Sequence, residues 1–157
     1  MSAWKIIKNK EEVENLMSFF QDFHDACILS VQYRSGNRIT DNGSMVFPEK
    51  KEVIASLIVQ SQFQQKKIEL EFTGVYRLHL IGFCENCCNG LIDGASFVFI
   101  ENYKSSPYAL PQRAIAWVDC GTEDDDSVEV LGEEEEDIEF LDGSYIIASS
   151  VRWRSLN

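Results

Sequence analysis

Several familiar features are missing from this chain. The stretch Met1-Ser2-Ala3-Trp4-Lys5 has no apolar core of the kind a secretory signal carries, and no apolar run approaches the ~18 residues that cross a bilayer as a helix. A cytoplasmic protein without membrane contact is the expectation. There is no G-x-S-x-G, no H-E-x-x-H, no Walker phosphate loop and no G-x-G-x-x-G, which points away from the common enzyme classes. The net charge of −12 argues against nucleic acid as a partner, because phosphates are held by clustered Lys and Arg. Basic residues are absent altogether from Asp119 to Asp142.

What is present fits one globular domain over 1–157: a helix over 10–23, a β-rich body over 26–153 and an acidic loop over 122–137. Apolar residues at 45% and charged residues at 25% match ordinary globular composition. Five cysteines (Cys27, Cys84, Cys87, Cys88 and Cys120) make an odd set, which favours free thiols in a reducing compartment over a disulfide framework.

The helix has a start signal and a buried face. Asn9 stands at the N-cap with Glu12 three residues on, a variant of the capping box. Val13, Leu16, Met17, Phe20 and Phe23 then recur at helical spacing. Beyond residue 25 the period changes to two. Leu29, Val31 and Tyr33 alternate with Ser30, Gln32 and Arg34, and Ile68, Leu70 and Phe72 alternate with Lys67, Glu69 and Glu71, a pattern that buries one face and wets the other. Further strands are expected over 53–60, 75–82, 96–103, 113–119, 137–141 and 144–153. In the last of these Tyr145, Ile147, Val151 and Trp153 fall on one face, with Arg152 and Arg154 opposite; Trp117 and Trp153 are expected in the core. Asp93-Gly94 and Asp142-Gly143 signal two-residue hairpins, and Asp41-Asn42-Gly43 signals another turn. The expected fold is α+β: a mostly antiparallel sheet of about eight strands, curved or half-open as a sandwich, with one N-terminal helix against it.

The acid is unevenly placed. Residues 119–142 hold 13 of the 26 acidic side chains, while residues 1–103 carry 13 acidic against 10 basic. Such density stays solvated, because buried charge must be paired. Asp124, Asp125, Asp126, Glu133, Glu134, Glu135, Glu136 and Asp137 are the candidate surface for a basic protein partner, set against a role in solubility alone. As a calcium loop the run Asp124 to Glu129 fails, since Val128 stands at a ligand position.

Three other constellations suggest chemistry. Cys84-Glu85-Asn86-Cys87-Cys88 on a turn has the shape of half a zinc site, with His79 or Cys120 needed to complete four ligands; otherwise it is a thiol-bearing turn. His24-Asp25 has the residue types of a base and its orienter, or else ends the helix, with His24 at the negative pole of the helix dipole. Phe97, Phe99, Tyr103 and Tyr108 would line a sheet face for a small ligand if they were not simply core.

Finally, the segments Phe23-His24-Asp25-Ala26-Cys27-Ile28, Ile68-Glu69-Leu70-Glu71-Phe72-Thr73-Gly74-Val75 and Ile146-Ile147-Ala148-Ser149-Ser150-Val151-Arg152-Trp153 resemble a loose group of small bacterial proteins of unknown function. Some of these are similar to immunity proteins of polymorphic toxin systems. The resemblance implies a non-catalytic inhibitor of a partner protein and carries no site residue across.

Overall fold

In the computed structural model, which describes residues 2–62, 65–81, 90–91, 94–106, 109–119 and 144–156, the short strand β1 (Lys5–Ile7) leads into α1 (Lys10–Phe20). Asn9 accepts the Glu12 amide at 2.9 Å, and the Glu12 carboxylate reaches back to the Lys8 amide. Two donors that the first turn cannot satisfy are thus paired. Leu16 and Phe20 are fully buried, and Phe23 joins them from a single 3-10 turn that follows. The helix therefore stops at Phe20, earlier than its apolar stripe, because Gln21, Asp22 and Phe23 all take positive φ.

The strands that follow among the described residues are β2 (Ala26–Arg34), β3 (Arg38–Ile39), β4 (Met45–Val46), β5 (Ile54–Ser61), β6 (Lys67–His79), β7 (Gly90–Leu91), β8 (Ala95–Tyr103), β9 (Gln112–Asp119) and β10 (Tyr145–Ser155). Seven strands lie in the order β7-β2-β5-β6-β10-β9-β8, and β1 makes an eighth by pairing with β10. β9 and β1 share one edge of β10: β9 takes Tyr145 to Ala148 and β1 takes Val151 to Trp153. Every pairing is antiparallel. β3 and β4 form a separate hairpin, closed at its tip by Thr40 and Ser44 as the Asp41-Asn42-Gly43 signal predicts. The architecture is α+β with an open, mostly antiparallel sheet.

Alternation places the core. Ala55, Leu57 and Val59 of β5 and Ile68, Leu70 and Phe72 of β6 are all fully buried on the face that α1 covers, beside Trp117, Val151 and Trp153. A smaller cluster of Tyr103, Ala114, Ala116, Val118 and Ile147 occupies the opposite face of β8, β9 and β10, so β9 is buried on both sides.

Five expectations change. The strands predicted over 67–72 and 75–82 are one strand, because Gly74 (φ +67) bends the chain without leaving the sheet. At that bend β6 and β10 change phase together. Phe72 and Val75 both face the helix side, as do Ala148 and Val151, so Tyr145 and Ile147 fall opposite Val151 and Trp153 rather than beside them. A register shift at Ile147/Ala148 likewise separates Tyr76 from Leu78. Asp93 lies outside the described residues, and among these the strands on either side of Asp93-Gly94 do not pair with each other, since β7 pairs with β2 and β8 with β9. Phe97 and Phe99 pack on the helix-side core while Tyr103 packs on the other cluster, because the register slips between Ile100 and Tyr103; the predicted aromatic ligand face is split in two. Lastly, Leu29, Val31 and Tyr33 do not bury their face. The strand predicted at 137–141, the Asp142-Gly143 turn and Tyr108 lie outside the described residues.

Candidate functional site

The frame brings the roots of both predicted candidate segments to one end of the sheet. The acidic segment leaves β9 at Asp119 and returns through Ser144, where the Asp119 amide donates to the Ser144 carbonyl at 2.9 Å. The cysteine segment departs after Ile81, whose amide donates to Ser144 Oγ at 3.0 Å. His79 stands at the same end, exposed, with its ring 5.4 Å from that of Tyr145, its cross-strand neighbour. Asp124, Asp125, Asp126, Glu133, Glu134, Glu135, Glu136 and Asp137 lie outside the described residues, as do Cys84, Cys87, Cys88 and Cys120. Among the described residues no three His, Cys, Asp or Glu side chains stand together as a metal site. Cys27 is a free, exposed thiol.

The side chains of His24 and Asp25 meet. His24 Nδ1 lies 2.6 Å from Asp25 Oδ2, because Asp25 takes φ +51 just before β2 begins. His24 is largely exposed. The contact is the one a base and its orienting carboxylate would make, and it spans the turn ahead of β2.

On the face away from the helix, an open groove of about 350 Å³ is lined by Ile6, Lys51, Ile54, Thr73, Ser150 and Arg152. Its charges are already matched: Arg152 Nε donates to Glu71 at 2.8 Å, and Lys51 lies 2.8 Å from Glu49. One step along, Arg154 Nε donates to Glu69 at 2.8 Å, and both guanidinium groups lie over the Trp4 ring, at 4.3 and 4.4 Å from its centroid. These are direct cross-strand pairs, Arg152 opposite Glu71 and Arg154 opposite Glu69, each contributing roughly 0.2–1 kcal/mol. The i, i+2 spacing of both the glutamates and the arginines was the signal in the sequence that these two strands pair. The ladder fastens β10 to β6 and seats Trp4; it leaves no unmatched charge in the groove to hold an ionic ligand.

Burial raises the Tyr103 phenol above its usual range, with the nearby Arg77 guanidinium working against the rise. The Tyr76 and Tyr103 rings meet at a tilt of 42°, their centroids 5.1 Å apart. A phenol held neutral in this way is a packing element rather than a nucleophile at neutral pH.

The feature that residue patterns did not disclose is a strip of uncovered apolar surface along β2. Val31 sits opposite Leu57 and Tyr33 opposite Ala55, so both point to the core-facing side. They are nevertheless 39% and 51% exposed, and Leu29, the extra residue of a bulge, is 48% exposed. The separate β3–β4 hairpin carries exposed Ile39 and Met45, with Phe47 just beyond.

Comparison with protein-family models, with curated proteins and with solved structures finds no match to this chain.

Proposed function

We propose that this is a non-catalytic protein-binding module of the cytoplasm that docks its acidic segment onto a basic protein. Charge segregation carries the reading. Outside residues 119–142 the chain has 14 basic and 13 acidic side chains, a balance of +1, whereas inside them it has 13 acidic and none basic. A near-neutral frame thus presents one concentrated negative segment, clamped at its root by the Asp119–Ser144 hydrogen bond. Clustered charge of one sign accelerates encounter with an opposite surface by roughly ten- to a thousandfold and repels wrong partners. In its narrowest form the reading is an immunity-type inhibitor of a basic nuclease toxin, in line with the resemblance in the three segments above. The test uses the partner captured from the native cell and the variant E133Q/E134Q/E135Q/E136Q/D137N. Stopped-flow association at low salt is expected to slow by roughly tenfold or more, with dissociation little changed. An unchanged association rate removes this surface from the docking event.

A second reading, a structural zinc site, is favoured by one observation: His79, the Ile81 stem of the Cys84/Cys87/Cys88 segment and the Asp119 stem of Cys120 converge on the same end of the sheet. Thiolate and imidazole are the ligands zinc prefers in a closed tetrahedral site. Protein purified without chelator is expected on this reading to hold zinc at near one per chain; less than about a tenth per chain ends it.

A further inference from the structure

We infer that Arg77 anchors a small aromatic monocarboxylic acid on the sheet face away from the helix, with the ligand's carboxylate in the guanidinium fork and its ring against Tyr76, Tyr103 and Tyr145. Elsewhere cations stand on carboxylates: Arg38 on Glu52, Arg113 on Glu101, Arg152 on Glu71 and Arg154 on Glu69. Arg77 differs. Among the described residues no carboxylate lies within ion-pair distance of it, and its neighbour is the phenol of Tyr103. The side chain is half-buried, so water meets only part of its demand for acceptors. A bulge in β6 builds the arrangement. Arg77 pairs with Ile147 and Val75 with Ala148, which leaves Tyr76 as the extra residue. Tyr76 packs on the outer cluster, and Arg77 shares the side of its cross-strand partner Ile147, a member of that cluster. A ring and a guanidinium adjacent in sequence thus stand on one face, which a regular strand forbids.

The chemistry of the ligand follows from what faces it. Arg77 offers N–H donors in a planar fork and no acceptor, and Tyr76, Tyr103 and Tyr145 each add an O–H. Tyr145 is the diagonal neighbour of Arg77 across β6 and β10, since it pairs with His79. The Tyr76 and Tyr103 rings lie side by side, and burial keeps the Tyr103 phenol protonated, hence a donor, at neutral pH. Only one cation is offered. Lys50 stands 4.6 Å over the Tyr76 ring and donates to Gln112 at 2.9 Å, so it is already engaged. A single positive charge in a fork suits a carboxylate, which accepts two parallel N–H bonds; the second charge of a phosphate dianion would go unmatched on half-buried ground. Beneath the donors the floor is apolar, made by Ala114, Ala116 and Ile147. Rings surround it, so the body of the ligand is aromatic, packed edge-to-face or offset on the tyrosines. Phe97 and Phe99, on the helix side, take no part.

The test needs no docking partner. In amide NMR spectra of the whole chain, phenylacetate is expected to shift the signals around Tyr76, Arg77, Tyr103 and Tyr145 and to saturate with a Kd below about 1 mM. Phenylacetamide, which keeps the shape without the charge, and acetate, which keeps the charge without the ring, are each expected to bind about tenfold more weakly or worse. Arg77→Gln is expected to weaken phenylacetate binding by about tenfold or more. Arg77→Lys keeps the charge and most of the stem but not the fork, and is expected to lose nearly as much with an unchanged melting transition. A wild-type chain with no saturable shifts up to about 10 mM phenylacetate, equal binding of the acid and its amide, or an Arg77→Lys chain that binds like the wild type overturns the proposal. So does binding seen only in the E133Q/E134Q/E135Q/E136Q/D137N chain, since the chain's own carboxylates would then be the occupant. The docking of a basic protein is read from association rates and stands or falls without any of these results.

Discussion

Gly74→Ala is expected to lose about 2–5 kcal/mol of stability, the sum of two effects at one atom. Gly74 sits at φ +67, where an L-residue with a Cβ is destabilised by roughly 1–2 kcal/mol. The added methyl would also fall on Ser149 Oγ and come within 2.9 Å of Lys50 Cγ, and overpacking of this kind costs roughly 1–3 kcal/mol. Lys50 is the more yielding neighbour, being the stem of a side chain that reaches the Tyr76 ring and Gln112. Ser149 is fixed, because its hydroxyl donates to the Thr73 carbonyl at 2.7 Å, and the Gly74 amide donates to Val53 at 2.8 Å. Urea unfolding followed by fluorescence of the buried Trp117 and Trp153 measures the loss. Adding Ser149→Ala to the Gly74→Ala chain is expected to recover the overpacking share and leave the φ share, a non-additivity read from the double-mutant cycle. If Gly74→Ala unfolds at the wild-type midpoint, the bend is not needed to hold β6 and β10 in phase.

That bend also shows how far residue patterns reach. Asn9, Leu16 and Phe20 announced the helix because capping and periodicity act within a few residues. Ile68, Leu70 and Phe72 announced their buried face for the same reason, and all three are fully buried. A period-two pattern, however, carries no marker of where the phase slips. A strand read straight through puts Tyr145 and Trp153 of β10 on one face; a phase slip between Ala148 and Val151, alongside Gly74 of β6, sets them on opposite faces. Nor does alternation say whether a face is covered. Val31 and Tyr33 alternate as faithfully as Leu57 and Val59, yet β5 has strands on both sides of it while, among the described residues, β2 has a second partner only at Ala26 and Cys27. Coverage is a property of neighbours distant in sequence. The Asp93-Gly94 signal failed for a related reason: Gly94, at φ +99, serves a close approach, since a Cβ there would lie 2.5 Å from the Asp22 carbonyl oxygen. It abuts the end of the helix rather than closing a hairpin. The candidate site is legible only in composition, as the concentration of acid after Asp119; that its root and the root of the cysteine segment share Ser144 is visible only in the fold.

The triplet Phe23-His24-Asp25 divides by burial into a structural residue and a surface pair, and the two are expected to respond very differently to truncation. Phe23 is fully buried, 4.8 Å from the Phe20 ring and 6.0 Å from that of Phe97, so it ties the end of α1 to β8. It does so from a strained position, with positive φ at Gln21, Asp22, Phe23 and Asp25; such a run persists only where surrounding packing over-determines it. Phe23→Ala keeps the strain and removes the packing, and is expected to cost about 3–5 kcal/mol. His24 is 61% exposed, and its contact with Asp25 is a surface ion pair at most, so His24→Ala is expected to cost less than about 1 kcal/mol. Thermal and urea unfolding of the two single variants decide the matter. A His24→Ala loss equal to that of Phe23→Ala would mean that the imidazole–carboxylate contact, and not the aromatic anchor, holds the turn. With the expected ordering, the aromatic ring, and not the imidazole–carboxylate contact, sets the entry into β2.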